Sequence, residues 1–199
     1  HKITVNATNL SNGVGGEGSI NITVSPTILV VDDAVTKGPR SEVETMTNAL
    51  QASDFEYELF TVNGGDGPAY DSGPNPLEEY DIVIWMTGSQ TSGTLTEDDQ
   101  ENLNKYIKAN KKLWLIGEGI GEDTKASSWV ESNLNVNIQP DEVPVSPMTG
   151  NEIPFESGKK FNFDESLAVK SNEISPVNDA YNSLKDKSDN CYMVSYESD

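Results

Sequence analysis

Between Lys111 and Asp123 the chain reads KKLWLIGEGIGED. A short apolar run ends in Gly117-Glu118-Gly119-Ile120-Gly121, with glycine at every second position. After a buried strand, that spacing is the backbone of a nucleophile elbow, a sharp turn that presents a Ser or Cys to a neighbouring base. Here the central residue is Gly119, which has no side chain to present. Cys191 is the only cysteine, and His1, at the start of the chain, is the only histidine. Chemistry that needs an internal histidine or a second cysteine is therefore excluded from this chain: no Ser-His-Asp triad, no Cys-His dyad, no His-rich zinc site, no internal disulfide. The turn has the shape of an elbow without its chemistry, and this segment is expected to be non-catalytic.

Carboxylates are the remaining candidates. Asp32, Asp33, Glu118, Glu122 and Asp123 would meet at one sheet edge if the strands before them are parallel. Oxygen ligands of this kind suit Ca²⁺, which needs no histidine. The competing reading is that they cap helices or face water. No other cofactor is expected. Ser89 and Ser92 lack a base and read as turn residues. The Gly117–Gly121 string follows the fourth predicted strand and has no placeable ribose-binding acid, so it is not a dinucleotide fingerprint. Trp85 and Trp114 lie within apolar runs and are expected to pack in the core, and Trp129 is read as facing inward from a short helix.

Those residues need a scaffold. The 199 residues are 35% hydrophobic and 23% charged, enough for one good-sized domain with a core. Acids outnumber bases 33 to 13, the formal charge is −20, and Arg40 is the only arginine. Such a chain repels phosphate backbones and anionic membrane surfaces, so neither nucleic acid nor a membrane is an expected partner. No run approaches the roughly 18 apolar residues of a membrane helix. The first residue is His1 rather than Met, so the chain reads as a piece of a longer protein.

Residues 1–25 alternate apolar and polar positions around a Gly-rich loop, the pattern of a β-hairpin. They most resemble the last two strands of an immunoglobulin-like β-sandwich module. Three N-glycosylation triplets, at Asn6, Asn9 and Asn21, point to an exported surface protein. From Pro26 the pattern changes. TILVV (27–31), YELFTV (57–62), DIVIWMTG (81–88) and LWLIG (113–117) read as strands, mostly apolar throughout as parallel strands buried on both faces are. Helices are expected over 41–54, with a Ser41/Glu44 capping box, and over 96–112, with Thr96 as N-cap. A short helix is expected over 126–134, and short strands in VNIQP, KKFNF and CYMVSYES; the polar stretch 139–190 is expected to wrap over the sheet. The order implies an α/β fold over 26–199, a doubly wound parallel sheet of flavodoxin-like type, with ligand-facing loops at Asp32-Asp33, Thr87-Gly88-Ser89 and Gly117-Glu118-Gly119.

The strings ILVVDDAV, YDIVIWMTGSQT and LTEDDQENLNKYIKANKKLWLIGEGIGED together resemble the class I glutamine amidotransferase-like superfamily, in the form embedded in large secreted archaeal and bacterial proteins. The resemblance covers roughly Pro26 to Asp123. It implies a nucleophilic cysteine in the centre of a G-x-C-x-G turn and a later histidine; Gly119 occupies that centre and no histidine follows. A second likeness, of Asp32-Asp33 to the metal-holding acids of response-regulator receiver domains, fails because Met86 stands where the phosphoryl acceptor would be. The expected role is a structural or accessory module of an extracellular or cell-surface protein, with neighbouring domains or other surface proteins as partners. The rival is a degenerate amidotransferase-like or hydrolase-like enzyme working with carboxylates at the sheet edge.

Overall fold

The computed structural model describes residues 2–8, 15–21, 26–34, 42–117, 119–142, 148–150, 160–161, 171–178, 180–185 and 191–195. In chain order the elements are β1 (Lys2–Thr8), β2 (Gly15–Asn21), β3 (Ile28–Asp32), α1 (Glu42–Ala52), β4 (Glu58–Thr61), β5 (Ile82–Gly88), α2 (Glu97–Lys108), β6 (Lys112–Gly117) and α3 (Thr124–Asn133). They are followed by β7 (Val136–Glu142), β8 (Met148–Gly150), β9 (Lys160–Phe161), β10 (Ser171–Pro176), β11 (Tyr181–Lys185) and β12 (Cys191–Ser195).

The centre of the α/β part is a four-stranded sheet in the order β4-β3-β5-β6. All three pairings are parallel, with Val31 opposite both Phe60 and Trp85, and Trp85 opposite Leu115. Side chains alternate between faces along each strand, which sorts the core into two layers. Leu29, Val31, Val83 and Trp85 meet Leu103 and Tyr106 of α2 and Ala126, Trp129 and Val130 of α3. Ile28, Val30, Ile84 and Met86 meet Val43, Met46 and Leu50 of α1. Helices thus cover both faces, two on one and one on the other.

That asymmetry corrects one expectation. Trp114 is 40% exposed and not part of the core. Its strand, β6, is the last of the four, and the single helix on its face packs against the central strands. Leu59, on the opposite edge strand β4, is exposed for the same reason.

At the amino end of the sheet, Thr27 and Asp81 clamp β3 to β5. The Thr27 N–H and hydroxyl donate to Asp81 Oδ2 (3.0 and 3.1 Å), and the Asp81 N–H donates to Thr27 Oγ1 (3.0 Å). Thr96 caps α2 as expected, in a reciprocal box with Asp99. The other box expected, on Ser41, lies outside the described residues. The 139–190 stretch holds more strand than anticipated: β10 pairs antiparallel with β7, and β12-β11-β8-β9 form a separate sheet. β1 and β2 pair antiparallel, with Ile3 opposite Ile20. Asn9 lies outside the described residues, and Asn6 and Asn21 are placed by backbone alone, on β1 and β2.

Candidate functional site

Parallel strands deliver their loops to the carboxyl edge of the sheet, and the chemistry expected of this chain lies there. Leu29, Val31 and Asp33 share one face by alternation, so Asp33 emerges beside Trp85 on the α2/α3 side. Its backbone continues the pairing past the end of β3, the Asp33 N–H donating to the Met86 carbonyl (2.9 Å). Asp33 is 6% exposed. Its Oδ2 accepts the indole N–H of Trp85 at 3.0 Å. Burial pushes its carboxyl up to about 7; the Trp85 bond opposes that rise, and the nearby charges of Asp99 and Asp32 add to it.

Against Trp85 runs a strap, residues 62–76, joining β4 to the turn before β5. Its anchor is Asp99 in the first turn of α2, which is 1% exposed. Asp99 Oδ1 accepts the Gly67 N–H at 2.7 Å, and Oδ2 accepts the N–H and hydroxyl of Thr96 at 2.9 and 2.8 Å. One helical turn on, Asn102 Oδ1 accepts the Tyr70 N–H (3.1 Å). Gly67 is required by contact: a Cβ there would overlap Trp85 Cη2 and lie 2.5 Å from Cζ2. The indole N–H is held by Asp33, and the ring edge beside it is covered by the strap.

The glycine turn after β6 is closed in the same manner. A Cβ on Gly117 would collide with Thr87 Oγ1 and press Ile120. A Cβ on Gly119 would overlap the carbonyl oxygen of Gln90, with the Gln90 carbonyl carbon at 2.6 Å and Thr91 Cα at 3.0 Å. The obstacle is backbone, which cannot swing aside as a flexible side chain can. Gly119 is buried, and its φ lies outside the left-handed region. The residue is glycine because the loop after β5 occupies the space a side chain would need. Thr87 Oγ1, fully buried, has no hydrogen-bond partner.

Four of the five acids named as a possible calcium site lie among the described residues. Asp32 and Asp33 are consecutive along an extended backbone and project to opposite faces. Asp123 is the N-cap of α3 and is encircled by donors. Oδ2 accepts the N–H and hydroxyl of Thr94 (3.0 and 3.1 Å), and Oδ1 accepts the N–H groups of Lys125 and Ala126 (3.1 and 3.3 Å). Burial pulls its carboxyl upward, but these bonds outweigh it and hold Asp123 below the usual carboxylate range. Glu122 is exposed, and Glu118 lies outside the described residues. Among the described residues no group of three or more His, Cys, Asp or Glu side chains is placed to hold a metal ion. Ser89 and Ser92 are exposed.

Two participants escaped the reading of the sequence. Thr96 marks the start of α2, but nothing in the sequence announces that Asp99, three residues on, also holds the strap. Trp85 was assigned to packing alone; nothing in DIVIWMTG announces that its N–H reaches a buried acid. Comparison with protein-family models, with curated proteins and with solved structures gave no match.

Proposed function

We propose that the chain is a non-catalytic structural or accessory module of a large extracellular or cell-surface protein. Its core would be a flavodoxin-like, class I amidotransferase-like α/β domain, and β1–β2 would be the closing hairpin of an immunoglobulin-like β-sandwich module. The carrying observation is the filled space at Gly119: where active relatives of that superfamily would present sulfur, the Gln90 carbonyl sits against bare Cα. The order β4-β3-β5-β6 supports the fold assignment, because it is the order of the first four strands of a flavodoxin-like sheet. In that fold the ligand crevice opens where the strand order reverses, here between β3 and β5. Trp85 and Gly67 pack together on that side. A secreted peptidase is one such parent, and adjoining domains or other surface proteins are the partners.

The rival enzyme reading draws on Asp33, whose raised titration point is that of a general acid or base. Against it stands the burial of Asp33 and its bond to Trp85. An assay of the purified chain separates the two. The module reading expects no ammonia from glutamine and no hydrolysis of a p-nitrophenyl ester or a peptide amide. Turnover that disappears in Asp33→Asn would replace it with the enzyme reading. Melting with and without millimolar calcium tests the cation reading, since a ligand of the folded state raises the melting temperature.

A further inference from the structure

Two buried carboxylates flank one indole ring. Asp33 accepts the Trp85 N–H, and Asp99 accepts the N–H of Gly67, which lies against the Cζ2–Cη2 edge of the same ring, next to that N–H. Among the described residues, the charges that act on Asp33 are acidic. Its own strand supplies Asp32 and α2 supplies Asp99. The strap carries Asp66, which is exposed; β5 contributes the Trp85 N–H and no ionisable group. The turn before α3 holds exposed Glu122 and the donor-saturated Asp123. The ion pairs among the described residues join Lys105 to Glu101, Lys111 to Asp81 and Lys125 to Glu97, and none of them reaches Asp33 or Asp99.

We propose that Asp33, Trp85, Gly67 and Asp99 form a proton-operated latch: with Asp33 neutral the 62–76 strap lies closed on Trp85, and ionisation of Asp33 opens it. The two carboxylates are not equivalent. Three donors surround the Asp99 carboxylate, whereas one indole N–H serves Asp33. The proton therefore belongs on Asp33, in agreement with its rise to about 7. Once it leaves, its charge lies near the acidic groups that already oppose it, and hydration is the relief. Lifting the strap is the smallest movement that admits water to both carboxylates, because the strap covers the ring edge beside the Trp85 N–H and is itself held by Asp99. Gly64 and Gly65, at φ 81° and 111° with open space around them, can absorb the movement at its base.

Hydrogen exchange at the Gly67 amide of the whole chain reads the latch directly. Between about pH 5.5 and pH 8.5, protection corrected for intrinsic exchange should fall by about tenfold or more. The Ile84 amide, inside the central strand, should hold steady over the same range. Asp33→Asn keeps an acceptor for Trp85 and cannot ionise, so its Gly67 protection should stay high at both values. Asp99→Asn should flatten the response as well. Constant protection in the unsubstituted chain, or an unchanged response in Asp33→Asn, overturns the latch. If either variant fails to fold, the unsubstituted chain still decides: the Asp33 carboxyl titration followed by carbon NMR and the Gly67 opening must share a midpoint, and separate midpoints overturn it.

Discussion

Trp85 hands its indole N–H to Asp33 across 3.0 Å, from the middle of β5 to the residue just past the end of β3. Both groups are buried, and they join the two strands between which a doubly wound sheet would open for a ligand.

Trp85→Phe removes the donor and part of a fully buried ring while leaving Asp33 in place. The expected cost is about 2–4 kcal/mol, from the space left by the indole and from a buried acid without its partner. Because the Trp85 bond opposes the rise at Asp33, its loss should push the Asp33 titration further upward. Urea unfolding and a carboxyl titration of the same variant check both statements. By contrast Trp114→Ala, at a site 40% exposed, should cost well under half as much as Trp85→Phe.

The pH dependence of stability has two limbs of opposite sign. Asp33 is raised from 3.8 to about 7 in the folded state, so its contribution is complete below the ordinary aspartate value and is lost as pH rises through about 7. Its size is on the order of 2 kcal/mol, roughly half the full linkage value because water screens part of the field. Asp123 is lowered, so its contribution is present above 3.8 and is lost as pH falls below that. From these two groups, stability should be greatest near the ordinary aspartate value, decline as pH rises toward about 7 and level off above it. Urea unfolding across the range should show the upper limb flattened in Asp33→Asn and retained in Asp123→Asn.

Asp123 ties the loop after β5 to the start of α3 through four bonds. Asp123→Ala strips the cap from α3 and leaves the buried Thr94 N–H and hydroxyl without an acceptor. A loss of about 2–3 kcal/mol is expected, read by chemical denaturation at neutral pH.

The scaffold was legible in the sequence where a single physical rule governed it. Continuous apolar runs such as ILVV and IVIWM can only be strands covered on both faces, and they are. Thr96, read as an N-cap, announced the start of α2. The edges were not legible in the same way. LWLIG reads as a buried strand, yet Trp114 is exposed because burial depends on how many helices cover a face, which the run itself does not encode. At the site, the missing side chain of Gly119 was plain. Its cause was not, because the carbonyl that excludes it comes from Gln90, 29 positions earlier. Asp33 and Trp85 likewise meet only through the register of β3 on β5.

The account rests on the turn after β6 being closed by backbone, and the stability of Gly119→Ala tests that most directly. One methyl group there must displace the Gln90 carbonyl, so the variant should lose about 2 kcal/mol or more in urea unfolding. Gly93→Ala is the reference: it sits in open space at φ 64° and should lose about 1 kcal/mol from backbone strain alone. A Gly119→Ala chain as stable as the unsubstituted one would mean that the turn has room for a side chain, and the inert-module account would be contradicted.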